Sequence, residues 1–169
     1  MIENLYKMKP LEEWLDKSKG CVYSNEHAFL ALNAVPSTFG HSLVAPIRVV
    51  SKLSELSDTE LRAYMDAKEN GGEQLRKMVT EVPRIIMNVY DTWNNNPALE
   101  KILPGSTARR NLVVRDLESG ACLGWNYFEN MGESAGQMIA HFHGQITPRY
   151  GNGKGVGTAI FNLTHPQNS

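Results

Sequence analysis

The segment Ala140-His141-Phe142-His143-Gly144-Gln145-Ile146-Thr147-Pro148-Arg149 constrains this chain more than any other stretch. Side chains two apart on an extended strand point to the same side, so a strand here puts His141, His143 and Gln145 on one face. Such a face can hold a nucleophilic imidazole together with the groups that orient it.

A chain of 169 residues with 41% hydrophobic content can close one core by itself, and no linker divides it. The expectation is a single domain over 1–169, with a core at about 21–150, a longer helical middle at 58–103 and a glycine-rich tail at 151–169. With 17 basic and 18 acidic residues, the formal charge of -1 gives no electrostatic footprint for duplex nucleic acid or an anionic membrane. Cys21 and Cys122 are too few and too far apart for a disulfide framework. Two reduced thiols, and an N-terminus too mixed in charge for a signal peptide or membrane span, point to the cytoplasm.

Along the chain, Leu11 to Lys17 reads as a short helix or irregular arm ended by Gly20. Cys21–Tyr23 and His27–Asn33 read as strands, followed by the turn residues Asn33-Ala34-Val35-Pro36-Ser37 and a third strand at His41–Pro46. Ser57-Asp58-Thr59-Glu60 has the spacing of a capping box, so a helix begins at Asp58. Helical spacing continues to Trp93, punctuated by Gly71-Gly72 and by Pro83, which predicts two helices or one kinked helix. Asn94-Asn95-Asn96-Pro97 breaks the pattern, and Ala98–Leu103 adds a further turn. Strands are expected again at Leu112–Arg115, then across a hairpin tip at Asp116–Gly120 into Cys122–Asn130. A last strand is expected at Thr158–Leu163.

The histidine segment, with Gly124-Trp125-Asn126-Tyr127, Asn130-Met131-Gly132 and Ala135-Gly136-Gln137 before it and Pro148-Arg149 after it, resembles the signature of the histidine triad (HIT) superfamily. Glutamine stands in place of the third histidine. The upstream pair Phe29-Leu30-Ala31-Leu32-Asn33 and Gly40-His41-Ser42-Leu43-Val44-Ala45-Pro46 carries the same likeness, which is strongest toward the fragile histidine triad branch. The resemblance implies an α+β HIT-like fold, a mostly antiparallel sheet with helices packed on one face. It further implies a homodimer, and a purine nucleotide or dinucleoside polyphosphate as ligand.

By position in the motif His143 is the nucleophile. A neutral imidazole can attack the α-phosphorus of a nucleotide ester or anhydride and form a covalent nucleotidyl-histidine, which a second acceptor then cleaves. His141 is read as an orienting group whose backbone carbonyl could fix the tautomer of the attacking ring. The family likeness places Gln137 and the backbone amide of Met138 at the α-phosphate, with Gly136 allowing a close backbone approach. It places Asn130 near a bridging phosphate or ribose and Asn33 at the ribose, although both asparagines also suit turns. His41 resembles the family's upstream histidine, set behind these contacts. Met138 stands where many relatives have serine or threonine, which removes one hydroxyl contact.

Gln145 bears on the reaction subclass. An amide donates hydrogen bonds but has no titratable proton at neutral pH, so it suits leaving groups already stable as anions. His143-Gly144-Gln145-Ile146 is similar to the motif of galactose-1-phosphate uridylyltransferase and of the diadenosine tetraphosphate phosphorylases, in which phosphate or a sugar phosphate is the acceptor. Nucleotidyl transfer or phosphorolysis is therefore expected ahead of a plain dinucleoside polyphosphate hydrolase. No tightly bound cofactor is expected, though a divalent cation such as Mg2+ could accompany the substrate. Two histidines at i and i+2 also suit zinc, but the local motif lacks a third strong ligand, so no metal site is assigned. A noncatalytic nucleotide-binding or interaction module is the remaining alternative.

Overall fold

The computed structural model describes residues 9–135, 137 and 139–151. Gly136, Met138 and the expected strand at Thr158–Leu163 lie outside the described residues. Five strands form one sheet: β1 (Cys21–Ser24), β2 (Ala28–Leu32), β3 (Ser42–Pro46), β4 (Cys122–Glu129) and β5 (Gly144–Tyr150), in the order β1-β2-β3-β5-β4. Every neighbouring pair is antiparallel. The α+β class and antiparallel sheet match the sequence-based expectation.

The two sides of the sheet differ. Leu32, Val44 and Ile146 face helices and pack with Tyr64, Ala67, Leu75 and Val79 of α2 (Asp58–Glu81) and with Ile86, Val89 and Tyr90 of α3 (Arg84–Asn94). Burying each large apolar side chain of this kind stabilises the fold by about 1.5–3 kcal/mol. On the other side Phe29, Ala31, Leu43, Ala45 and Ile139 make a smaller cluster, covered by Trp14 from the four-residue α1 (Leu11–Trp14). The Trp14 and Phe29 ring centroids are 5.6 Å apart. Helices thus dominate one face, with the short α1 as the exception.

The capping box forms as the sequence predicts: the Glu60 amide donates to Ser57 Oγ at 3.3 Å, and the Ser57 amide donates to Glu60 Oε2 at 2.8 Å. Gly71-Gly72 does not interrupt α2, and the helical run instead divides at Val82-Pro83. Packing explains the glycines. A Cβ at Gly71 would lie 3.0 Å from the Tyr23 side chain and 3.1 Å from Leu30, and one at Gly72 would lie 2.9 Å from the Trp125 ring. The pair lets the helix approach the sheet closely, and tertiary contact outweighs their poor helix propensity.

Asn96 caps α4 (Pro97–Ile102) by accepting from the Ala98 amide at 3.1 Å, with Pro97 at the first helical position. The next expectation fails. Leu112–Arg115 is not a strand, because α5 runs Ser106–Val113 and a 3-10 turn follows over Val114–Ser119. The Glu100 carboxylate accepts from the Gly105 and Thr107 amides at 2.6 and 2.9 Å and from Ser106 Oγ at 3.0 Å, which supplies the acceptors a helix start needs. Arg110 and Val113 then point inward from that helix. Burial on a helix face overrides the β-propensity of the Leu-Val-Val run. Asp116–Gly120 is consequently no hairpin tip; it is mostly the 3-10 turn that delivers the chain to β4.

Candidate active site

Residues that pair across the sheet share a face, and one such row contains Ala31, Leu43, Gln145 and Phe128. Gln145 therefore lies on the side away from the large helices, as does His41 just before β3. The His41 and Phe128 ring centroids are 6.4 Å apart. Trp125 and Tyr127 belong to the opposite, helix-packed face. Only Phe128 of these three aromatics stands beside the candidate site.

His141 and His143 are not on β5, which corrects the expectation of a shared strand face. The ladder begins at Gly144, paired with Val44 and Glu129, while bends precede it and the Phe142 amide donates to the Val50 carbonyl at 2.7 Å. The bend brings the two histidines together in another way. His143 Nδ1 lies 2.8 Å from the backbone carbonyl oxygen of His141, so Nδ1–H donates and the lone pair resides on Nε2. This is the tautomer-fixing contact expected from sequence. His141 itself donates from Nε2 to the Pro46 carbonyl at 3.1 Å, anchoring its ring to the end of β3.

Burial tunes these rings. Desolvation pulls His143 below the ordinary imidazole value, opposed by the His141 carbonyl and the negative charge of Glu129. Burial likewise lowers His141 to about 4, with the Pro46 carbonyl opposing. His41 is lowered to about 4 by the same cause, with the Gln145 amide opposing. All three are neutral near pH 7, and His143 consequently offers a free nitrogen lone pair rather than a cation.

His41 Nδ1 accepts from the Ser37 amide at 3.1 Å, which places the proton of the neutral ring on Nε2. Among the described residues that buried Nε2 makes no close hydrogen bond, and the Gln145 amide beside it is the polar group that favours its proton. Asn33 lies opposite His41, its amide donating to the His41 carbonyl at 2.8 Å. Its own Oδ1 accepts from the Val35 amide at 2.9 Å, an Asx turn that leaves its Nδ2 donors for other partners. Gln137 accepts from the Gly132 amide at 2.7 Å and donates to the Ile139 carbonyl at 2.9 Å, so both ends of its side chain brace the loop before the histidines. Asn130 follows β4 at the start of the same loop. Among the described residues, no group of three His, Cys, Asp or Glu side chains could hold a metal ion.

The sequence gives no signal for what lies behind Gly144. The Tyr64 and Tyr127 hydroxyls are 2.7 Å apart, and Tyr127 also bonds to Glu129. The end of the Tyr127 ring occupies the space that a Cβ on residue 144 would need. Glycine is required there by contact, not by backbone conformation. A cavity of about 350 Å³, lined in part by Trp14, Leu32, Ala34, Trp93 and Ile102, lies beside the end of β2, and neither His141 nor His143 lines it.

The sequence model of the HIT domain matches residues 16–152. The chain belongs to the HIT family. It is 27% identical over 136 residues to Protein hit of Bacillus subtilis, covering 80% of this chain and 66% of that protein. A 38-residue stretch, 22% of the chain and 9% of the relative, is 50% identical to the nitrilase and fragile histidine triad fusion protein NitFhit of Caenorhabditis elegans. A crystal structure of a HIT family member from Bacillus subtilis aligns with a TM-score of 0.44 at 25% identity, covering 79% of this chain and 66% of that one. The HIT match spans every strand among the described residues and the three histidines of the candidate site, His41, His141 and His143.

Proposed function

We propose that this HIT protein is a nucleotidyl transferase acting on purine dinucleoside polyphosphates through a covalent nucleotidyl-His143 intermediate. The observation that carries this reading is the 2.8 Å contact from His143 Nδ1 to the His141 carbonyl, which leaves Nε2 as the reactive nitrogen of a buried, neutral ring. In the first step Nε2 attacks the α-phosphorus, and the bond to the bridging oxygen breaks with its electron pair leaving on the phosphate chain. The positive charge on the ring is then shared through Nδ1–H with the His141 carbonyl and faces the field of Glu129. In the second step an acceptor oxygen attacks the same phosphorus and Nε2 departs.

Gln145 favours phosphate or a sugar phosphate as acceptor. It can donate a hydrogen bond to a leaving phosphate oxygen but supplies no proton, so anionic leaving groups react well and amines poorly. Asn33, Asn130, Gly136, Gln137 and Met138 are assigned to the nucleotide, with His41 supporting them from behind. The reading includes a homodimer located in the cytoplasm, with no tightly bound cofactor and Mg2+ accompanying the substrate. Two free, buried cysteines support a reducing compartment, and no helix among the described residues is long and apolar enough to cross a membrane.

The His41 Nε2–H beside Gln145 supports a second reading, hydrolysis, because it offers another neutral donor on that side of the site. One experiment separates them. Labelled diadenosine tetraphosphate is incubated with the protein, with and without inorganic phosphate, and adenylyl-protein is trapped for mass spectrometry. Label on His143 with turnover stimulated by phosphate supports transfer, whereas turnover indifferent to phosphate supports hydrolysis. Label or turnover surviving in His143→Ala defeats the mechanism, and tight binding with neither label nor turnover would indicate a noncatalytic module.

A further inference from the structure

Arg110 on α5 is fully buried, at 0% exposure. Its guanidinium donates to three acceptors drawn from three parts of the chain. Nε reaches Asn94 Oδ1 at the end of α3 at 2.7 Å, Nη1 reaches the Ala34 carbonyl at 2.7 Å, and Nη2 reaches Thr107 Oγ1 at 3.1 Å. Among the described residues no carboxylate forms a salt bridge with it. Glu100 bears on it only through its field, since that carboxylate is engaged with Gly105, Ser106 and Thr107.

A buried cation without a carboxylate is a poor device for stability alone, because apolar side chains of similar volume often serve as well or better. What the guanidinium offers instead is a planar fork that fixes the direction of its acceptors. The acceptor that matters here is Ala34, in the connection from β2 to β3 that carries Asn33 and His41. That connection is knit internally by bonds from the Val35 amide to Asn33 Oδ1, from the Ser37 amide to His41 Nδ1 and from the Asn33 amide to the His41 carbonyl. Its later part is anchored to the body by Asp116 on the Phe39 amide at 2.8 Å and Tyr90 on the Gly40 amide at 3.2 Å. Arg110 anchors the earlier part, one residue from Asn33.

We propose that Arg110 is a positioning residue for nucleotide binding: through the Ala34 carbonyl it fixes the backbone from which Asn33 meets the nucleotide. The inference rests on the assignment of Asn33 to the nucleotide. Arg110 touches neither the ligand nor the reacting atoms; it acts through the turn, from a helix that lies outside the histidine motif.

The test is a double-variant cycle read by calorimetric titration with AMP, using the full chain as wild type, Arg110→Met, Asn33→Ala and the double variant, with thermal midpoints as the check on folding. Arg110→Met is expected to lose roughly tenfold in AMP affinity, the scale of about 1.4 kcal/mol for a displaced hydrogen-bonding group, while kcat at saturation changes little. In the Asn33→Ala background the same substitution is expected to cost almost nothing further. A folded Arg110→Met that binds AMP like wild type overturns the inference, as do losses that multiply independently in the double variant. Should Arg110→Met not fold, Asn94→Ala removes one acceptor and keeps the cation; a loss of about threefold that vanishes in the Asn33→Ala background is then expected, and no loss or an independent one overturns the proposal. Wild-type protein that fails to bind AMP defeats the functional reading itself, whereas wild-type binding with an unaffected Arg110 variant defeats only this inference.

Discussion

His143 Nδ1 and the backbone carbonyl of His141 are 2.8 Å apart, and this one contact holds the ring proton on Nδ1 and leaves the lone pair on Nε2. The carbonyl belongs to the main chain, so changing the His141 side chain does not delete it. The side chain instead holds the segment to Pro46 through a 3.1 Å bond. His141→Ala is therefore expected to slow adenylation of His143 by about 10- to 100-fold through misplacement of the ring, without abolishing it. Rapid-quench labelling measures this; equal, complete loss in His141→Ala and His143→Ala would show that His141 does more than position.

Gly144 is held to glycine by the Tyr127 ring, which is itself tied to Tyr64 and Glu129. Gly144→Ala is expected to destabilise the fold by about 1–3 kcal/mol, because the ring cannot retreat without breaking those bonds. Tyr127→Leu should recover part of that loss when combined with it, and chemical denaturation of the four proteins measures the coupling. Simple additivity of the two substitutions would mean that the ring moves aside freely.

The pH dependence of stability follows from two buried imidazoles. His41 and His141 are 4% and 0% exposed, and each is depressed to about 4 from the ordinary 6.5. The unfolded chain therefore binds more protons than the folded one between those values, and stability falls as the pH drops from about 6.5, the loss being complete below about 4. Each group contributes on the order of 3 kcal/mol to that loss. Urea titrations between pH 7 and 4 should show the decline, and replacing His41 by Gln should reduce it by about half, the His141 share remaining; a profile level across this window contradicts the buried neutral state.

Gln145→His introduces a titratable donor on the leaving-group side. The variant is expected to gain about a hundredfold or more on a nucleoside phosphoramidate, whose amine leaving group needs a proton, with a much smaller change on diadenosine tetraphosphate. The ratio of the two rates is the measurement. A wild-type protein already efficient on the phosphoramidate removes the basis for favouring transfer.

The strand pattern around Phe29–Leu32 and Ser42–Pro46, the capping box at Ser57 and the contact between the His143 ring and the His141 carbonyl were all legible in the chain, because each rests on local spacing and side-chain chemistry. The run Leu112–Arg115 misled for the same reason. Its β-branched residues favour a strand locally, while the Glu100 carboxylate, five to seven residues before the groups it caps, starts the helix that carries them, and burial of Arg110 and Val113 holds that helix in place. The glycines at 71 and 72 read as punctuation until Tyr23, Leu30 and Trp125 show them to be sites of close approach.

By itself the sequence determined the α+β class and membership of the HIT family and singled out the residues proposed for the chemistry, since these depend on residue type and short-range order. Only the tertiary structure decided how they are arranged. It took His141 and His143 off the strand and joined them through a carbonyl, set Tyr127 beneath Gly144, and brought a buried arginine from a later helix onto the turn of Asn33. Those arrangements depend on hydrogen bonds and exclusion of volume between segments far apart in the chain, which no local pattern encodes.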